Sequence, residues 1–326
     1  MCRRRADARR CHHVVSPSHV VVRYLVQRTI PFRRDRMPLH ESAIGHQMDP
    51  ITTSFDERWV MAYAAGVPDE RDELFATDAE LLVHPLFPVA PEWQLLTANR
   101  TLPTGMTVGE ARQGIHVGHD LILHRPIRVG ETLTISAAIT SVGRRTAGAT
   151  QDTLFVATDA TGQAVWQTRF SSLFLGVQLE GAPTSTDIGW PALPDMPVPA
   201  DGTTAPEPLA TRQSFVRPID AHVYSECARI WNPIHTDVVA ARAAGLAAPI
   251  LHGTATLARA VSIATDLAGV PLGAVRRISG QLGAMVALGS TIEIRLLGFD
   301  GSTLHFDVVE QSGRRAISNG VIATNA

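Results

Sequence analysis

The chain has 326 residues, a length that favours two domains, and its 45% hydrophobic and 18% charged residues are the balance of a globular protein with sizeable cores. A net charge of −2 gives no general attraction to nucleic acid, and no apolar run is long enough to span a membrane. Cys2, Cys11 and Cys227 have neither metal-ligand spacing nor disulfide-framework density, which points to a reducing cytoplasm and no structural metal.

Residues 1–36 carry ten arginines and two aspartates, and their one apolar stretch, near Val20, is broken by Arg23. Such a leader reads as an organellar transit peptide, a segment for an acidic surface, or translated upstream sequence with the start at Met37 or Met48. The chain has no lysine, which fits an arginine-biased coding sequence. Residues 1–47 are set aside as a basic tail, disordered or not native, and fold reasoning starts at residue 48.

The first domain is expected over residues 48–179. Residues 56–65 read as a helix closed by a Gly-Val-Pro-Asp turn. Residues 74–82 and 91–96 also have helical composition, separated by His84-Pro85-Leu86-Phe87-Pro88. Strands then dominate, at 114–123, 131–142, 149–157 and 164–175, with Asp159-Ala160-Thr161-Gly162 as the last turn. Arg125 and Arg128, on the loop His124-Arg125-Pro126-Ile127-Arg128-Val129-Gly130-Glu131, are candidates to pair with a ligand phosphate, or equally solvated loop charges. His116, His119 and His124 match no metal-ligand interval.

Residues 180–208, rich in Pro, Gly, Ser and Thr, read as a linker that Trp190 anchors by packing. The second domain, 209–326, opens with a strand at 211–216. After residue 224 come a short helix, a turn, a second short helix at 237–244 and a long one from about 253 to 268. Strands are expected at 275–284, 291–297, 303–310 and 316–324, with Asp300-Gly301 and Ser312-Gly313 as hairpin turns.

Residues 224–264 hold the chemistry. Pro233 stops the first helix, and the residue before a proline prefers extended geometry, so Asn232 and His235 project to one side of a turn while Trp231 and Ile234 pack on the other. Thr236 or Asp237 caps the next helix and Gly245 ends it. The long helix is apolar nearly all round, as a central buried helix is, with Arg259 and Asp266 its only charges. Gly253 at its start allows close approach to N–H groups that favour developing negative charge. A neutral imidazole moves a proton near pH 7, and backbone donors hold a carbonyl oxygen becoming an enolate, so the group suits thioester chemistry. A lone histidine in an apolar stretch is ordinarily a core residue satisfied by backbone, and His252 fits that reading too. Cys227 reads as a small buried residue.

Tyr224, Asn232, Pro233, Ile234, His235, Asp237, Ile250, His252 and Gly253 match in identity and spacing the motif of the MaoC-like family, the R-specific enoyl-CoA hydratases and related dehydratases. The Arg125 loop resembles the signature of the family's N-terminal halves. The resemblance implies an α+β fold of two hot dog modules, each a central helix wrapped by an antiparallel sheet, paired inside one chain as an internal pseudo-dimer. It covers residues 208–326 well and 50–180 loosely. It implies a carbon–oxygen lyase, a hydratase or dehydratase at the 2,3-bond of an acyl-CoA or acyl-carrier thioester, in fatty acid metabolism. His235 would be acid or base, Asn232 would orient substrate or water, and Gly253 would be the oxyanion donor. His252, Tyr224 and Arg125 would contact substrate, and no metal or cofactor would be required. The first half lacks an Asn-Pro-x-His motif and is expected to be non-catalytic.

One position departs. The family's catalytic Asp falls on Ile230 here, and Glu226, one helical turn earlier, is the candidate to stand near the same space. The alternatives that follow are another thioester enzyme, such as a thioesterase, or a non-catalytic acyl-CoA-binding protein.

Overall fold

Alternating burial shapes most of this molecule. The computed structural model describes residues 37–99, 104–111, 114–195 and 207–324, and the basic leader to residue 36 lies outside them. In chain order the strands of the first half are β1 (Leu39–His40), β2 (Gln47–Ser54), β3 (Gly114–Leu123), β4 (Thr132–Arg145), β5 (Gly148–Thr158), β6 (Ala164–Leu175), β7 (Leu179–Glu180) and β8 (Thr184–Ser185). Those of the second are β9 (Ala210–Val216), β10 (Arg277–Leu282), β11 (Ser290–Phe299), β12 (Thr303–Val309) and β13 (Arg315–Ala323). On β5 and β11 buried and half-buried positions alternate along most of the strand, the period of a sheet whose faces meet different surroundings.

Each half repeats one plan of a strand, a helix, a core helix and four more strands. In the first the helices are Glu57–Gly66 and Val89–Ala98, and in the second Asp220–Ala228 and Gly253–Leu267. The result is α+β, two hot dog modules. One antiparallel sheet runs through both in the order β2-β4-β5-β6-β3-β10-β13-β12-β11-β9, with β8 added on β4. The modules join where Gly118–Ile122 of β3 face Gln281–Arg277 of β10. The halves thereby form the internal pseudo-dimer the family resemblance implies.

Leu257, Ala258, Ala260, Val261 and Ala264 of the second core helix are fully buried. Arg259 of the same helix is 2% exposed and reaches Asp220, equally buried, at 2.6 Å. Burying both charges is tolerable because each is paired. On the outer face of the module junction, Asp120 accepts two bonds from Arg277 at 3.0 and 2.9 Å and one from Trp190 Nε1 at 2.8 Å. Trp190 thus anchors the connecting segment through a hydrogen bond, with Arg169 over its ring.

Three expectations change. Residues 37–46, placed in the tail, are folded: Leu39 and Ala43 are buried against Ile139, Val142 and Val177. Residues 74–82 are not a helix, since one 3-10 turn, Asp72–Leu74, precedes irregular chain that buries Leu74 and Leu81 instead. Trp231 does not pack behind its turn and is 56% exposed. Among the described residues no helix is long and apolar enough to cross a membrane, and no group of His, Cys, Asp or Glu is arranged to hold a metal ion.

Candidate active site

The helix Asp220–Ala228 ends at Arg229, a left-handed residue with φ 55° whose guanidinium lies over the Trp59 ring. The chain then straightens. Asn232 takes φ −120°, ψ 117°, as a residue before proline should, and its side chain accepts from the Ile234 N–H. A single 3-10 turn, Pro233–His235, follows, and Asp237 caps the helix Val238–Ala243 by accepting from Val239 and Ala240. Gly245 ends that helix at φ 86°. These local signals turn His235 back toward the start of the core helix.

There His235 Nδ1 lies 2.9 Å from the Ile250 carbonyl. A carbonyl only accepts, so Nδ1 carries the proton and Nε2 keeps its lone pair. The His235 ring stacks on that of His252, with centroids 3.7 Å apart and planes at 25°. His252 Nε2 is 3.1 Å from Ser225 Oγ, and the Tyr224 ring centroid is 5.0 Å from that of His252. Tyr224 donates to Thr254 Oγ1 at 3.1 Å. His252 is the N-cap of the core helix and Gly253 its first residue, so the N–H groups of Gly253, Thr254 and Ala255 have no acceptor within the helix. A Cβ on Gly253 would collide with the Leu282 side chain.

Burial lowers the His235 pKa to about 4, with the Ile250 carbonyl pulling weakly the other way. Burial, and then the facing His235, push His252 well below the ordinary histidine value. Burial raises the Tyr224 pKa to about 12. At neutral pH the cluster is therefore uncharged, with one imidazole lone pair beside a row of unpaired backbone donors.

The structure brings together His235, His252, Tyr224 and Gly253, with Asn232 on the same turn. It does not bring Arg125 there. That guanidinium forms a forked pair with Glu131, reaches Asp159 at 3.3 Å, and follows the end of β3 remote from Gly118. Arg125 is thus held in an ion pair within its own loop and the following turn. Glu226 is exposed, while Ile230, at the position where the resemblance puts the family's Asp, is 5% exposed and part of the core. Cys227 is half-buried. Sequence reasoning missed Ser225, Thr254 and the Ile250 carbonyl, because no motif marks a hydroxyl or carbonyl that acts only through its fold partner.

The first module has an echo of this cluster. Tyr63 lies 3.5 Å from Tyr224, hydroxyl to hydroxyl, and donates to the Leu86 carbonyl, and His84 stands near the Tyr63 ring. Its core helix, however, opens with Pro88 as N-cap and Pro91 in the first turn, residues with no N–H to offer. A cleft between Leu81–Val83, Ile127 and Leu272–Val275 lies at the opposite end of the junction and contains neither His235 nor His252.

A family model described as MaoC like domain matches residues 201–319, and one described as FAS1-like, dehydratase domain region matches residues 42–167. No curated protein matches the sequence. Among solved structures, a MaoC-like dehydratase from Phytophthora capsici has a TM-score of 0.72 at 20% identity, over 86% of this chain and 96% of that one. The full-length peroxisomal multifunctional enzyme type 2 from Drosophila melanogaster scores 0.68 at 21% identity, over 85% of this chain and 48% of that one. A Mycobacterium tuberculosis protein described as having a double hotdog fold scores 0.57 at 15% identity, over 85% and 95%. At these identities the structural likeness establishes the fold.

Proposed function

We propose that this chain, a double hot dog protein of the MaoC-like dehydratase kind, adds water to or removes it from the 2,3-bond of an acyl-CoA or acyl-carrier thioester. The carrying observation is the His235 tautomer: Nδ1 is committed to the Ile250 carbonyl, and Nε2 is left as a base beside the start of the core helix.

In the hydration direction, Nε2 takes a proton from water and the water oxygen bonds to C3 of the enoyl thioester. The 2,3-π electrons move toward the thioester oxygen, which the Gly253 N–H holds as an enolate. The imidazolium then returns its proton to C2, and one water has been added. Dehydration runs the same steps backwards, with the leaving hydroxyl taking the proton from His235. The missing Asp is thereby bypassed, because one imidazole serves both proton transfers. Asn232 Nδ2 orients water or substrate, while His252 and Tyr224 hold the ring of His235 and the first turn of the helix. We assign the chemistry to the second module alone and the reaction to the cytoplasm.

The test is a panel of 2-enoyl-CoA thioesters followed by loss of enoyl absorbance, with free-thiol release in parallel. Wild type should hydrate at least one of them, and His235→Ala should lose on the order of 10²–10⁴ in kcat, the usual worth of a general acid–base. Thiol release without hydration would make the protein a thioesterase. The buried Ile230 favours one second reading, an acyl-thioester-binding protein without turnover, and binding that survives His235→Ala in the absence of any turnover would establish it.

A further inference from the structure

The inner face of the first module changes character along its strands. Antiparallel partners point to one side of a sheet, so the register defines transverse rows. The row Phe155–Thr168–Leu121–Ile278 lies on the core side, against the helices. The next row toward the β3 start is Thr153–Phe170–His119–Gly280, and after it Gln151–Ser172–His116.

His119 is 2% exposed, and neither ring nitrogen has a partner among the described residues. Buried polar groups are ordinarily bonded, so two unmet atoms on one ring require a reason. Burial lowers the His119 pKa to about 4, which leaves a neutral imidazole with one donor and one acceptor to offer. Gln151 Oε1 is buried and unpartnered as well, while its amide donates to Thr153. His116 is already used: it donates to the Gly118 carbonyl and stacks on Phe170 at 3.8 Å. Beside His119 on the neighbouring strand stands Gly280, where a Cβ would press on Ile317 and touch Leu257 of the core helix, so only a glycine fits there without displacing them.

These rows sit level with the candidate site. Leu282, two residues beyond Gly280 on β10, packs against Gly253, and Gly118 opposes Gln281. A thioester held at the Gly253 N–H therefore has β10 beside it and His119 one strand further, about 4.8 Å across the sheet.

We propose that His119, with Gln151 deeper along the same face, binds an oxygen carried by the acyl group itself, so that the substrate is an oxygenated acyl thioester with a hydroxyl or carbonyl beyond the reacting carbons. This rests on the thioester reading of the His235 site and specifies its substrate class. A hydroxyl matches the ring in kind, since it can give a proton to the bare nitrogen or accept one from the protonated nitrogen. A plain hydrocarbon chain would leave both atoms unmet.

The test compares a medium-chain 2-enoyl-CoA with positional isomers carrying one hydroxyl beyond C4, on wild type, His119→Phe and His119→Gln. Wild type should favour one hydroxylated isomer by about tenfold or more in kcat/KM, as a site built to hydrogen-bond its substrate does. His119→Phe keeps a ring but no polar atom; it should bring that ratio near one while retaining turnover of the plain compound. His119→Gln, which keeps a donor and an acceptor, should retain part of the preference. A wild-type ratio at or below one for every isomer, or a ratio unchanged in His119→Phe, overturns the proposal and leaves His119 a structural residue. Calorimetric binding of the same thioesters to His235→Ala reads the preference without turnover. If turnover is absent throughout, the lyase reading fails while the binding ratio still decides the role of His119.

Discussion

In the proposed reaction His235 serves as a base because of what its other nitrogen does. With Nδ1–H held by Ile250 and the ring buried, it is neutral well below neutrality, its pKa lowered to about 4. A base works in its unprotonated form, so kcat/KM should fall as pH drops through about 4 and be flat from there to neutrality. An acidic limb near the ordinary histidine value would mean the ring is solvated during turnover. The neighbouring position gives an independent reading. Ile230→Asp places a carboxylate where family members have one, and a nearby negative charge favours the imidazolium. In that variant the acidic limb should move to higher pH, whether or not the rate rises. A gain in hydration of tenfold or more would mean that the natural protein works without a proton donor it can still use. An unmoved limb would place residue 230 too far from His235 to share its chemistry.

At the level of helices and strands, Gly253 is not required by its φ, which is not in the left-handed region; a Cβ there would meet Leu282, and in the proposed reaction its N–H holds the thioester oxygen. Gly253→Ala should leave the melting temperature within a few degrees, since at the first helical position alanine gains only part of its interior advantage of about 1 kcal/mol and Leu282 must shift. In the proposed reaction turnover should fall about tenfold or more, because the methyl group displaces Leu282 at the helix start whose N–H groups would hold the thioester oxygen. Equal losses in folding and turnover would reduce Gly253 to a packing residue. The first module's core helix carries a different tension. Glu92 is buried, accepts from Trp166 Nε1 and Thr168 Oγ1, and burial raises its pKa to about 8. In the unfolded chain it ionises near 4.5, so above that pH the unfolded state binds fewer protons and wild-type stability declines as pH rises toward 8. Glu92→Gln should flatten that decline in denaturant titrations at pH 6 and 8, and an undiminished slope would assign it to other groups. These same elements show what a sequence can carry. The core helix was legible to within a residue, because an all-round apolar run between Gly253 and Gly269 has few other solutions, and β4 was legible from the alternation of its first residues. The two-residue strands β1, β7 and β8 were not, since two residues have no period. Residues 74–82 misled because tertiary burial of Leu74 and Leu81 outweighs local helical composition. At the site, the turn and its histidines were legible from the Asn-Pro-Ile-His spacing, whereas Ser225 and the Ile250 carbonyl depend on chain segments that meet only in the fold.

For the whole molecule, the question is what makes two modules behave as one. The sheet crosses from β3 to β10, and backbone ladder bonds alone would let the modules breathe apart at that seam. Asp120 prevents this on the outer face. It takes a forked pair from Arg277 of the second module, stands 3.6 Å from Arg169 of the first, and accepts from Trp190 of the connecting segment. The Asp120 and Arg277 side chains are 4% and 6% exposed, so removing one leaves the other buried without its counter-charge. Asp120→Ala should therefore cost about 3–5 kcal/mol, the range for breaking a buried pair from one side. The form of the loss matters more than its size. The outer-face knot and the inner-face contact between Gly253 and Leu282 share strand β10, so loosening the seam should also relax the amide-rich helix start and lower thioester turnover. Wild type should unfold in urea as one transition, with tryptophan fluorescence and far-ultraviolet dichroism coincident, and Asp120→Ala should separate the two probes. The double variant Asp120→Ala with Arg277→Met removes both charges and should recover much of the stability. Recovery of turnover along with stability would place the seam's effect on catalysis in the strain of an unpaired charge, whereas stability without turnover would show that the ion pair itself sets the register between β10 and the core helix.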